Sequence, residues 1–209
     1  MSGNLYIVSA PSGAGKTSLV AALLDSDSQV RKSVSFTTRA PRAGEVNGRE
    51  YNFVGTAEFE AMRAKGEFVE SALVHGNYYG TSHHWMGSRL AEGQDILLEI
   101  DWQGAAQVRR VHADAVGIFI VPPSYEVLLS RLNSRGTDTP DVIARRLQNA
   151  REEIAHLVDF DYVIINQDFD LAAQELAAIV VAERLKRSRQ VERNRELIDQ
   201  LLRPNRSTN

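Results

Sequence analysis

The chain has 209 residues, 43% hydrophobic and 24% charged, a balance that sets aside disordered and fibrous classes and suits one globular unit. A net charge of −3 gives no reason to expect nucleic-acid binding, and the absence of cysteine excludes disulfides, thiolate zinc sites and a cysteine nucleophile. No run approaches the ~18 apolar residues of a membrane span and no secretory signal pattern opens the chain, so a cytoplasmic protein without a membrane partner is expected.

In chain order, "LYIVSA" reads as a buried strand, and from Lys16 the spacing of Leu19, Leu23 and Leu24 predicts a helix ending near "DSDS". The segment from about Val34 to Gly80 is polar and glycine-dotted, with short strand candidates "REYNFV" and "EFVESALVHG" and one helix from about Thr56 to Ala64. Continuous apolar runs return at "DILLEI" (95–100), "AVGIFIV" (115–121) and "YVIIN" (162–166), the pattern of strands covered on both faces. Between the last two, Ser124 to about Val158 predicts two helical segments split by "NSRGTDTP", with Thr139 as N-cap and Pro140 at the first helical position. Strands alternating with helices predict an α/β fold with a parallel sheet flanked by helices on both faces, interrupted by a small mixed insertion and by a two-helix segment. The expected division is a core of 1–33, 82–123 and 159–209, an insertion of 34–81 and a two-helix segment of 124–158.

The chemistry starts at "APSGAGKTS", comprising Ala10, Pro11, Ser12, Gly13, Ala14, Gly15, Lys16, Thr17 and Ser18. It fits the phosphate-binding loop with alanine in place of the first glycine. Small residues let successive backbone N–H groups curl round phosphate oxygens and the following helix points its positive end at them. Lys16 reaches the outer phosphates, and the Thr17 hydroxyl can ligate magnesium. Asp101 ends an apolar strand, where such enzymes place an acid that holds magnesium directly or through water; capping the next helix is a compatible role.

In the second of these two helices Ile143, Leu147, Ala150 and Ile154 mark an apolar stripe, and Arg146 falls roughly 70° from its centre while Arg145 points nearly opposite. Arg146 therefore borders a cleft and Arg145 is solvated. Arg131 and Arg135, four apart, share a helix face. His75, His83 and His84 lack metal spacing with a third fixed ligand and read as surface or strand histidines.

The stretches "SVSFTTRAPRAGEVNGREYNF" (33–53), "FVESALVHGNYYGTS" (68–82), "ILLEIDWQGA", "FIVPPS", "RLNSRGTDTPDVIARRL" and "VIINQDFD" together resemble the guanylate kinase family over residues 4 to about 187. That resemblance implies a P-loop NTPase fold in which 34–81 is a GMP-binding insertion and 124–158 a helical, mobile lid, and transfer of a phosphoryl group from ATP to GMP, and to dGMP, with Mg2+ as cofactor. It implies that Arg39, Arg42, Tyr51 and Tyr79 grip the GMP phosphate, and that Glu70, with Ser35 and Thr81, reads the guanine edge. Glu99 joins the GMP side, where the family often carries aspartate, and Asp101 contacts GMP as well as the metal. Arg131, Arg135 and Arg146 match the lid arginines that reach the transferring phosphates, and Asn166 matches an adenine-side position.

Two other classes share parts of this pattern. A related kinase of another phosphorylated acceptor, such as a ribosyl phosphate, would not need Ser35, Glu70, Tyr79 and Thr81. A non-catalytic binding module would be expected to lack Lys16 or the lid arginines, and both are present. The charged tail from Glu183 to Arg195, followed by Leu197, Ile198, Leu201 and Leu202, leaves two readings: a long solvated helix with an apolar end, or a subunit contact that builds a homo-oligomer.

Overall fold

A computed structural model of the chain describes residues 2–74, 76–134 and 140–203. Five strands form one parallel sheet: β1 (Leu5–Ser9), β2 (Val30–Lys32), β7 (Asp95–Glu99), β8 (Val116–Val121) and β9 (Tyr162–Ile165), in the spatial order β2-β7-β1-β8-β9. Alternation along β1 decides the two faces. Tyr6 and Val8 pack with Leu19, Val20 and Leu23 of α1 (Lys16–Ser26) and with Ala172, Leu176 and Val180 of α7 (Phe169–Arg184). Leu5 and Ile7 point the other way, to Met86 and Leu90 of α3 (His83–Ala91) and to Ala105 and Val108 of α4 (Trp102–Val111). Each fully buried leucine or isoleucine contributes about 1.5–3 kcal/mol of transfer free energy, so these two clusters carry the fold.

The run at 162–166 departs from its expected double burial. As the edge strand β9 leaves Val163 and Ile165 exposed, while Ile164 faces the core. Strand β2, short and charged, gives no periodic signal in the sequence and takes the opposite edge.

A second sheet holds β3 (Phe36–Thr37), β4 (Asn52–Phe53), β5 (Phe68–Val74) and β6 (Asn77–Ser82) in the order β4-β3-β6-β5. Helix α2 (Thr56–Ala64) lies where the sequence predicts it and buries Phe59 against Phe68 and Tyr78, with ring centroids 4.5 and 5.3 Å apart. Helices α5 (Tyr125–Asn133) and α6 (Pro140–Ala155) share a small cluster of their own, in which Leu128, Leu132 and Ala150 are buried and Ile143 and Leu147 pack against them. Thr139, proposed as the α6 N-cap, lies outside the described residues. Trp102 at the start of α4 stacks on His156, just beyond α6, with centroids 3.4 Å apart.

The tail is not one long helix. Glu183 is buried and accepts a hydrogen bond from the Tyr162 hydroxyl (2.7 Å), α7 ends at Arg184, and the extended Lys186 redirects the chain into α8 (Arg187–Arg193) and α9 (Arg195–Leu202). On α9, Leu197, Leu201 and Leu202 are exposed.

At the end of the parallel sheet where β1 and β7 begin, Arg184 joins two elements that flank it. Its Nε donates to Asp95 Oδ2 and its Nη1 to Asp27 Oδ2, both at 2.6 Å, while Asp95 Oδ1 accepts the Asn4 N–H. Asp95 is buried, so removing the guanidinium strands its charge. Arg184→Ala is expected to lower unfolding stability by about 3 kcal/mol in urea titration; a loss below about 1 kcal/mol would mean that solvent already screens the pair.

Candidate active site

The sheet's other end gathers the predicted site residues. Strand β1 is buried throughout, and the loop that follows curls back on itself, with Ala14 N–H donating to the Pro11 carbonyl (3.1 Å) and with Gly13 and Gly15 both at φ 95°. A side chain at Gly15 would be strained by that φ and would overlap Asn166 Nδ2. No side chain caps α1, so its first-turn N–H groups face outward. Ala10, the departure from the usual glycine, packs against the core cluster behind the loop. Pro11 is buried, whereas Thr17 and Ser18 are exposed on the first turn of α1.

Lys16 is half-buried, with Nζ 3.5 Å from the Ile100 carbonyl. Burial pushes its pKa below the ordinary lysine range, against the opposing pull of Glu99, Asp101 and Glu153. The Thr17 hydroxyl donates to Glu99 Oε1 (2.6 Å), and Glu99 Oε2 accepts from Lys32 Nζ (2.5 Å). Burial opposes ionisation of Glu99, but the Lys16 and Lys32 ammonium groups outweigh it and hold its pKa below the usual carboxylate range. Thus it is Glu99, placed on the GMP side by the sequence reading, that reaches Thr17. Asp101 caps α4 instead, accepting the Gly104 N–H at 2.7 Å.

The guanine-reading candidates form a chain across neighbouring strands. Glu70 of β5 is opposite Thr81 of β6, and the Thr81 hydroxyl donates to Glu70 Oε1 at 2.6 Å, with Ser35 Oγ 3.5 Å beyond. Glu70 Oε2 and Asp101 Oδ1 converge over Gly104: a Cβ there would lie 3.0 Å from the first and 3.4 Å from the second, so a larger residue would press the carboxylates aside by a few tenths of an ångström. Glu70 is buried, and desolvation with the nearby Asp101 charge pushes its pKa up to about 7 although Thr81 hydrogen bonds pull it down.

Arg39 lies with its guanidinium carbon 5.4 Å from the Tyr51 ring centre, and Tyr51 meets Tyr79 edge-on at 5.8 Å. Arg42 is exposed in the same loop. Glu45, not singled out from the sequence, clamps Arg39 Nη2 with both oxygens (2.8 and 2.9 Å) and accepts the Arg42 N–H (2.7 Å). Three residues after Arg42, it had no spacing signal of its own.

From the lid, Arg146 is half-buried and donates to Ser12 Oγ (2.5 Å), while Arg145 is exposed, as the helical angles require. Two turns along α6 Glu153 accepts the Ser12 N–H, and burial raises its pKa. Nothing in the sequence marks Glu153, which borders an apolar stripe in a charge-rich helix. Arg131 donates to the Asn166 carbonyl (3.0 Å) and more weakly to that of Ala14 (3.4 Å). The buried Asn166 donates from Nδ2 to the Ala14 carbonyl (2.7 Å), while its Oδ1 meets no hydrogen-bond partner among the described residues. Arg135 and His75 lie outside the described residues. His83 and His84 are exposed in the first turn of α3, and among the described residues no three or more His, Asp or Glu side chains gather as a metal cage.

The comparisons with known proteins agree with this arrangement. A family model described as guanylate kinase matches residues 2–183. The chain is 57% identical over 199 residues to a guanylate kinase of Aromatoleum aromaticum, covering 95% of this chain and 98% of that one. It is 55% identical over 202 residues to one of Methylobacillus flagellatus, covering 97% and 100%. A crystal structure of guanylate kinase from Anaplasma phagocytophilum superposes with a TM-score of 0.76 at 37% identity, covering 95% of each chain. A phosphate loop joined to two converging carboxylates, with that likeness over nearly the whole length, places the chain in the guanylate kinase family.

Proposed function

We infer that the protein transfers the γ-phosphoryl group of ATP to GMP, and to dGMP, giving ADP and GDP or dGDP. The observation that carries this reading is the short segment Glu99–Asp101, which joins both halves of the site. Glu99 contacts Thr17, the Ile100 carbonyl faces Lys16, and Asp101 sits beside Glu70. Donor and acceptor pockets are thereby one residue apart on a single strand end.

A hydroxyl and a carboxylate 2.6 Å apart are hard oxygen donors of the kind magnesium accepts, with phosphates and water completing the shell. Thr17 and Glu99 would hold the ion, with Asp101 acting through water; when bound it supplies charge neutralisation along the phosphate chain. Loop N–H groups and Lys16 hold the triphosphate. Glu70 and Asp101 accept from guanine N1–H and its exocyclic amine, donors that adenine does not present in that pattern. Arg39, Arg42, Tyr51 and Tyr79 hold the acceptor phosphate.

No general base is required, because the attacking oxygen is already anionic. Two unit charges about 4 Å apart repel by roughly 4 kcal/mol at an effective dielectric near 20, so neutralisation and alignment are the catalytic task. Arg131, Arg135 and Arg146 of the lid complete it, and closure of lid and insertion over the core excludes water that would hydrolyse ATP.

The cysteine-free sequence suits a reducing cytoplasm, and the apolar strip of α9 suits contact with a second copy, supporting the homo-oligomer reading of the tail. The direct test is ADP formation with GMP, dGMP, AMP, UMP and a ribosyl phosphate side by side. GMP is expected to exceed AMP by at least about a hundredfold in kcat/KM; equal rates would overturn the guanine assignment.

A further inference from the structure

Both oxygens of Glu99 are engaged by groups of the chain itself, one by the Thr17 hydroxyl and the other by the ammonium of Lys32. Lys32 comes from the edge strand β2, opposite Leu97 and two residues short of Glu99 along β7, so its side chain reaches up the sheet to the acid. Glu99 is enclosed, with its side chain 11% exposed, whereas Lys32 is 35% exposed and has a solvent side to swing toward. No role in phosphate or guanine binding accounts for this lysine.

We propose that Lys32 is a tethered cation that occupies the metal-side carboxylate whenever nucleotide is absent, so that free divalent ions are turned away and metal enters only with the triphosphate. A bare Mg2+ ion approaching Thr17 meets two ammonium groups, Lys32 in contact with Glu99 and Lys16 nearby. An ion arriving on ATP brings anionic oxygens that neutralise Lys16 and supply most of its coordination. Lys32 is thus a positioning residue for Glu99, acting on the order of metal entry rather than on the transferring group. This rests on the reading of Thr17 and Glu99 as the magnesium-facing pair.

The probe is Mn2+ titrated into the full-length protein without nucleotide and followed by the loss of the free-ion electron paramagnetic resonance signal. Lys32→Met is expected to bind Mn2+ at least about tenfold more tightly than the parent, Lys32→Arg to match the parent, and Lys32→Met with Glu99→Gln to lose the gain. Thermal melts identify any variant that fails to fold, and Lys32→Arg keeps the charge comparison intact in that event. Equal or weaker Mn2+ binding by Lys32→Met overturns the proposal. Glu99→Gln alone, titrated with Mn2+ and ATP together, separates the two layers. If it leaves metal occupancy unchanged, the metal-side reading of Glu99 falls and the lysine gate with it; if it weakens occupancy while Lys32→Met shows no gain, only the gate falls.

Discussion

Lys16→Ala is expected to lower kcat by about a thousandfold while leaving the dissociation constant for GMP within about twofold. The reason lies in where the ammonium sits. It is half-buried beside the Ile100 carbonyl, and burial already disfavours its charge. Three carboxylates oppose that cost, but a triphosphate answers it directly, and charge developing on the bridging and transferring oxygens answers it best. The GMP side, by contrast, is assembled mainly on β5, β6 and the 39–51 loop, with Asp101 the member whose charge reaches Lys16. Steady-state rates and calorimetric GMP titration of the same preparation check the split. A rise in the GMP dissociation constant matching the fall in kcat would show that the lysine serves acceptor binding.

Glu70 gives the second large effect, and it has two signatures. With a pKa of about 7 in the folded protein, it is ionised in about a tenth of molecules at pH 6 and nine-tenths at pH 8. Because the carboxylate must accept from guanine, kcat/KM for GMP is expected to rise about tenfold over that interval. Glu70→Gln should lose about a hundredfold in kcat/KM and flatten this part of the profile, which separates Glu70 from titration of the GMP phosphate itself. A parent profile that the substitution leaves unchanged in shape would remove Glu70 from guanine recognition.

The same raised pKa bears on folding. The native state holds the proton more tightly than the unfolded chain, whose carboxyl titrates near 4.5, so this contribution to stability is complete below that pH and is lost as pH rises through about 7. Glu70→Gln removes the loss and keeps an acceptor for the Thr81 hydroxyl. The variant is expected to exceed the parent at pH 8 by up to about 3 kcal/mol in urea titration, and to match it near pH 4. If both signatures appear, the buried acid and the guanine reader are one residue, and recognition is maintained at the expense of stability.

The parallel sheet was legible because its central strands are unbroken apolar runs, each followed by a helix with its own period. Strand β2 was not, since three residues with Arg31 and Lys32 among them carry no pattern, and its pairing with β7 is a tertiary event. Motif spacing likewise pointed to Lys16, Thr17 and Glu70, whose side chains the structure sets about the Glu99–Asp101 segment. It could not tell which of Glu99 and Asp101 meets Thr17, because alternate residues leave a strand on the same face and only the turn into α4 separates them. There Asp101 is drawn off to cap the helix, and Glu99 is left facing the loop. Glu45, Glu153 and Lys32 were hidden for a shared reason: each is an ordinary charge in a charged segment, and its partner is set by the fold of a loop, by the phosphate loop or by the next strand.

The doubly held carbonyl of Ala14 has a consequence for the entropy of ligand capture. Asn166 and Arg131 both donate to it, and because a peptide group is planar, fixing the C=O direction also fixes the Gly15 N–H on the opposite side. A free glycine-rich loop would lose roughly 1–2 kcal/mol per residue on being ordered round an anion. Here the chain has met that loss during folding, through a side chain at the end of β9 and another on α5. The anion therefore encounters a cradle whose shape precedes it, and its binding should be dominated by desolvation and charge rather than by the ordering of backbone.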